Sequence, residues 1–185
     1  MNCAQLFRDI FFKLTGEMSY RIKLRGQSSP DQKSPTVKVL LIAFIGASLA
    51  GASLGLLAES SQQALIMGSF GASIFLVMAV PDLPFAQPRN VLAGHFLASA
   101  IGLACFHFIG EGFFIMGFAL GLTTVAMLFF KVAHPPAGSN PIAIFLAGPD
   151  WSFLVTPTLA GALVIVALGI AYNNVWADRS YPKYW

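Results

Sequence analysis

From Val39 to Val175 the chain carries charge only at Glu59, Asp82, Arg89, Glu111, Lys131 and Asp150. A soluble domain has about 25% charged residues, whereas 10% of this chain is charged. An apolar stretch of about 20 residues is enough to cross the hydrocarbon core of a bilayer as a helix, so the charges read as punctuation between spans. With 56% hydrophobic residues and a mean hydropathy of +0.71, the fold class is an all-α polytopic membrane protein.

Six apolar segments are predicted, at 37–58, 62–81, 90–109, 113–131, 134–148 and 152–173. They divide the chain into a basic leader (1–36), a transmembrane domain (37–173) and a C-terminal tail (174–185). In the leader, Leu6, Phe7, Ile10, Phe11 and Leu14 fall at helical spacing among charges, which suits an amphipathic helix lying at a membrane surface or on the protein's own face. Arg8, Asp9 and Lys13 interrupt it too early for a cleavable signal peptide. Cys3 and Cys105 suggest neither a disulfide framework nor a metal knuckle, and no basic patch is interleaved with aromatics as a nucleic-acid surface needs.

The second and fifth segments stand apart from the other four, which read as ordinary spans. The fifth opens with His134-Pro135-Pro136-Ala137-Gly138-Ser139-Asn140-Pro141, which cannot be a regular helix. Only Pro141–Ala147 remains to be helical before Gly148-Pro149, and seven residues rise about 10 Å. The second is interrupted by Gly68-Ser69-Phe70-Gly71-Ala72-Ser73, so its helical half is expected to begin near Ser73–Ile74. Irregular backbone at membrane depth survives only where it is buried in protein or lines a polar cavity. Both segments are therefore broken or re-entrant.

With the leader inside and every segment crossing, all eleven Lys and Arg fall on the inner side, as the positive-inside rule requires. The interrupted segments also resemble one another. Ser73, Pro81-Asp82, Phe85, Gly94 and Gly102 recur as Asn140, Pro149-Asp150, Phe153, Gly161 and Gly169, at an offset of 67 or 68. Two repeats, 37–109 and 113–173, each with an odd number of crossings, are inverted relative to one another, an arrangement that puts a substrate site near the midplane. Free N–H groups at the two helix ends, near Ser73–Ile74 and Asn140–Pro141, favour an anion. Ser69, Ser73, Ser139 and Asn140 add neutral donors.

Four blocks carry a family resemblance: Ser69-Phe70-Gly71-Ala72-Ser73; Gln87-Pro88-Arg89-Asn90 with Gly94-His95; His134-Pro135-Pro136-Ala137-Gly138; and Tyr181-Pro182-Lys183-Tyr184-Trp185. In this order they resemble the HPP family of integral membrane proteins, over roughly 35–185. The sequence departs from the family's pattern at Ser139-Asn140, inside the proposed site. Family members of chloroplasts and cyanobacteria are implicated in nitrite transport, so the resemblance implies nitrite as substrate.

The expected function is thus a transporter or channel for a small anion, without cofactor or metal and with no catalytic residues. The expected substrate site comprises Ser69, Gly71, Ala72, Ser73, His95, His134, Pro135, Pro136, Gly138, Ser139 and Asn140, with Arg89 and Asn90 attracting anions at the inner mouth. His134, ionisable near membrane depth, either couples proton movement to anion movement or caps the preceding helix beside Lys131. His107 reads as interfacial, and Trp176, Tyr181, Tyr184 and Trp185 read as an aromatic belt. No acid lies within a span and the histidines lack metal spacing, which argues against an enzyme. The competing reading is a membrane scaffold or subunit of a larger complex. Expected surroundings are a lipid bilayer, the bacterial inner membrane with both termini cytosolic, and further copies of the chain in a homo-oligomer.

Overall fold

The computed structural model describes Gln5, residues 34–61 and residues 67–185. The chain divides after Pro35, and everything below concerns residues 36–185; the expected leader helix lies outside the described residues. All regular structure in them is helical. The α-helices are α1 (Val37–Ser61), α2 (Gly68–Ala79), α3 (Pro88–Ala104), α4 (Phe113–Phe129), α5 (Asn140–Ala147) and α6 (Ala160–Asn173). Each of the six apolar segments therefore carries a helix. Three helical stretches are long and apolar enough to cross a membrane: Val37–Glu59, Pro88–Ile109 and Trp151–Asn173.

Two expectations about helix breaks are corrected. The Gly68–Ser73 stretch is helical: α2 starts at Gly68, with Met67 in extended conformation before it. Glycine costs a helix only about 1 kcal/mol relative to alanine, and burial of Phe70, Ile74, Val77 and Met78 along one face of α2 outweighs that. At twelve residues the helix rises about 18 Å, still short of a bilayer core. The second correction is the sixth segment, which is not a regular span. It begins as a 3-10 turn at Trp151–Leu154, passes Thr156 in extended conformation before Pro157, and becomes α-helical only at Ala160. Proline restricts the residue before it away from helical angles. The fifth segment is as expected, with a 3-10 turn at Pro135–Ser139 leading into the eight-residue α5.

The outside of the bundle is apolar and its interior is partly polar. Phe44, Phe114, Phe129 and Leu146 are largely exposed, while Ser73, Gln87, His95, Ser99, His134, Asn140, Thr158 and Asn173 are buried. That distribution is unstable in water and suits a lipid surround. The main core joins α1, α2 and α6 through Ala50, Leu54, Phe70, Ile74, Val77 and Ile165. Close approaches between the halves of the domain include a matched pair. A Cβ added to Gly102 of α3 would lie 2.8 Å from Ile144 of α5, and one added to Gly169 of α6 would lie 2.4 Å from Val77 of α2.

The tail folds back on the α2–α3 connection. The Arg179 guanidinium donates to the Met78 carbonyl and to Asn173 Oδ1. Asn174 accepts from the Tyr181 N–H and donates to its carbonyl. The Tyr181 hydroxyl donates to the Ala86 carbonyl at 2.7 Å, and the Lys183 N–H donates to Gln87 Oε1 at 2.7 Å. Tyr181 is thus a core residue, 2% exposed, which corrects its place in the aromatic belt. Burial pushes its phenol well above the usual tyrosine range, so it remains a donor. Tyr184 and Trp185 are exposed. The ion pairs Lys38–Asp178 and Lys183–Asp82 lie on the surface, where such pairs contribute little.

Candidate functional site

The prolines that bar a helix at 135 and 136 hold His134 in extended conformation at the turn's entry. Its ring is turned inward, toward α2 and α3. There a continuous chain of buried side chains runs from the α2–α3 connection into the bundle. His134 Nδ1 lies 2.6 Å from the Phe85 carbonyl and its Nε2 lies 2.8 Å from Ser73 Oγ. Ser73 Oγ also meets His95 Nε2 at 2.9 Å. Asn140 Nδ2 contacts His95 Nδ1 at 3.1 Å and Ser99 Oγ at 2.9 Å, and Ser99 Oγ meets Thr158 Oγ1 at 2.9 Å. His95, Ser99, Ser73, His134, Asn140 and Thr158 are all fully buried.

Donor and acceptor counting assigns the protons. A carbonyl only accepts, so the Phe85 oxygen requires the His134 proton on Nδ1. In the neutral ring Nε2 is then an acceptor, and Ser73 must donate to it. With its one hydrogen committed, Ser73 accepts from His95, which therefore carries its proton on Nε2. His95 Nδ1 accepts from the Asn140 amide, whose nitrogen is identified by its approach to the His95 carbonyl. Ser73 Oγ has a second acceptor in reach, the Ser69 carbonyl one turn earlier at 3.0 Å. The Asn140 Oδ1 acceptor is buried without a partner.

The other expected site residues are placed differently. Gly71 and Ala72 are exposed on the outer face of α2, and Arg89 is exposed in the first turn of α3. Asn90 Nδ2 donates to the Ala133 carbonyl, tying α3 to the entry of the broken segment. Ser139 bonds the Pro136 carbonyl, and Ser69 Oγ is buried without a partner. Pro136 is buried, whereas Pro135 is exposed and Gly138 half-buried. Both last two line a groove of about 350 Å³ that reaches His134 beside Phe85, Thr124 and Leu128. A second groove, of about 440 Å³, lies between α2 and the broken segment at Ser69, Ala72, Phe75, Pro135, Pro136 and Ser139. His107 is remote, bonded to the Pro149 carbonyl and stacked on Trp151.

The sequence reading missed Ser99 and Thr158. Lone hydroxyls within apolar spans carry no signal of their own, although Pro157 marked the irregular backbone that brings Thr158 inward. Among the described residues, no three His, Cys, Asp or Glu side chains come together as a metal site.

Comparison with known proteins agrees with a membrane protein. A transmembrane protein of Dictyostelium discoideum is 33% identical over 136 residues, covering 69% of this chain and 48% of that protein. A second from the same organism is 30% identical over 128 residues, covering 65% of this chain and 41% of its own length. The chain thus spans less than half the length of these curated relatives. No solved structure matches it. The HPP transmembrane region matches residues 32–182, nearly the whole of the bundle and its tail; the chain belongs to the HPP family of membrane proteins.

Proposed function

We propose that this protein is a transporter or channel for a small anion, with nitrite the first candidate, and not an enzyme or a scaffold. The observation that carries the reading is the buried polar chain from Phe85 to Thr158 inside a bundle whose outside is apolar. Polar side chains and irregular backbone inside a membrane bundle are costly and mark solute or proton pathways. The Ser99 and Thr158 hydroxyls and the Asn140 amide offer neutral donors, and Asn140 opens the short helix α5, whose positive end favours negative charge. The anion site rests on that single helix end, because α2 begins five residues before Ser73. Nitrite follows from the family resemblance alone.

The inverted repeat belongs to the same proposal. Gly102 and Gly169 are 67 positions apart, and so are Val77 and Ile144. The Gly102–Ile144 and Gly169–Val77 approaches are therefore the same contact made twice, each linking one half to the other. A pseudo-two-fold axis predicts such reciprocity. Gly117 and Gly121 expose a flat strip of α4 with open space above it. Such strips favour helix association in lipid and support a homo-oligomer. The tail side is taken to face the cytosol, in the inner membrane of a bacterium.

The test is uptake by proteoliposomes, comparing nitrite with nitrate, formate and chloride. Nitrite flux above empty vesicles is expected. Asn140→Ala should abolish it while Ser139→Ala, altering a side chain outside the chain, should leave it near the wild-type rate. Absence of flux for every anion would favour the scaffold.

A further inference from the structure

His95 on α3 and His134 on the broken segment meet across the single hydroxyl of Ser73, with ring centroids 5.0 Å apart. We propose that His95, Ser73 and His134 form a proton relay, so that each solute passage is accompanied by a proton. The relay rests on the transport reading above and specifies its coupling ion.

The step uses only groups already in contact. In the resting state the protons sit on His95 Nε2, Ser73 Oγ and His134 Nδ1. A hydronium ion arriving with the solute breaks one of its O–H bonds and gives the proton to His95 Nδ1, leaving water and forming an N–H bond there. The Nε2–H bond of His95 breaks as its proton passes to Ser73 Oγ, and the original Ser73 hydroxyl proton passes to His134 Nε2. One proton has moved from His95 to His134; both hydroxyl and imidazole valences are preserved, and the charge resides on His134. The new His95 Nδ1–H needs an acceptor, and a half-turn of the Asn140 amide supplies Oδ1, the buried acceptor that otherwise has no partner. His134 loses its Nδ1 proton to the groove that reaches it beside Phe85, and rotation of each ring, carrying its remaining N–H to the opposite neighbour, resets the relay without returning a proton through Ser73.

No other charge competes inside the chain. Helices α2, α4, α5 and α6 contribute no Asp, Glu, Lys, Arg or His, and Phe70 presents its ring edgewise to His95. On the connecting segments Asp82 and Lys131 are exposed, as is Arg89 on α3, and Asp82 pairs with Lys183. The two histidines therefore interact chiefly with one another and with Ser73.

The test uses the full chain in proteoliposomes with an entrapped pH dye and nitrite as the probe. In wild type, nitrite entry above empty vesicles should change lumenal pH. Ser73→Ala and the nearly isosteric Ser73→Cys, compared with wild type at matched nitrite entry, should lose the accompanying pH change. Wild-type nitrite flux without proton movement, or proton movement unaltered in both variants, would overturn the relay while leaving transport intact. If wild type moves no nitrite, the transport reading falls, and ¹⁵N-histidine NMR in nanodiscs decides the relay. A proton on His134 Nδ1 and on His95 Nε2, with the His134 Nε2 resonance shifted in Ser73→Ala, supports it; a proton on His134 Nε2 refutes it.

Discussion

Replacing Tyr181 by alanine should destabilise the protein by about 3–5 kcal/mol, the range for deleting a large buried aromatic side chain. The ring is fully enclosed, in the core with Val77, Val91, Ile165 and Val166, and lies against Gly169, where an added Cβ would come within 3.0 Å of it. Its loss also leaves the Ala86 carbonyl without the hydroxyl that bonds it. Tyr181→Phe should cost less, about 1–3 kcal/mol, since it removes only the hydrogen bond and leaves a buried acceptor unpaired. Thermal unfolding in a fixed detergent measures both. A Tyr181→Ala melting temperature equal to wild type would mean the tail is not docked. The functional consequence is indirect. The same connection that the tail clamps at Ala86 and Gln87 carries Phe85, whose carbonyl fixes the His134 proton.

The second large effect is expected at Gly94. A Cβ there would lie 2.7 Å from His134 Cβ and 3.2 Å from the Val132 carbonyl. Neither neighbour is the free end of a flexible side chain, so the broken segment itself must retreat from α3. Overpacking of this kind costs about 1–3 kcal/mol. The displacement acts directly on the 2.8 Å contact between His134 and Ser73. Gly94→Ala is therefore expected to abolish the pH change that accompanies nitrite entry into proteoliposomes, even where the purified protein remains folded. Gly71→Ala is the matched control: it adds the same methyl to an exposed helix face where nothing lies within 4 Å, and should leave that pH change unaltered. An equal pH change in both variants would mean that the approach of α3 to the broken segment is not required.

Much of the helix layout was readable because it follows from short-range rules. Charge punctuation located the six segments, and Pro135-Pro136 determined the break before α5. Glycine was the weaker guide. Gly68 and Gly71 suggested an interruption, but a buried face spanning Phe70 to Met78 holds α2 helical through them. The real second interruption was at Thr156-Pro157, where the proline was visible but the run of apolar residues around it masked its effect. The site was legible where residue chemistry was unusual for a membrane span: Ser73, His95, His134 and Asn140 were named from sequence and meet in the fold. Ser99 and Thr158 were not, since a hydroxyl that bonds across helices looks no different in sequence from one that bonds its own backbone. Tyr181 depends on a contact across 95 positions to Ala86, which no local pattern encodes.

The closed polar chain has a consequence for affinity. Its hydroxyls and imidazoles already have partners within the protein, so an incoming solute exchanges hydrogen bonds instead of adding them. The net free energy of a hydrogen bond exchanged in this way is small, about 1 kcal/mol. On the proposed transport function, occupancy is then weak and departure quick. A protein built to hold its ligand would leave such groups waiting; one built to pass it along keeps them engaged with one another between visits.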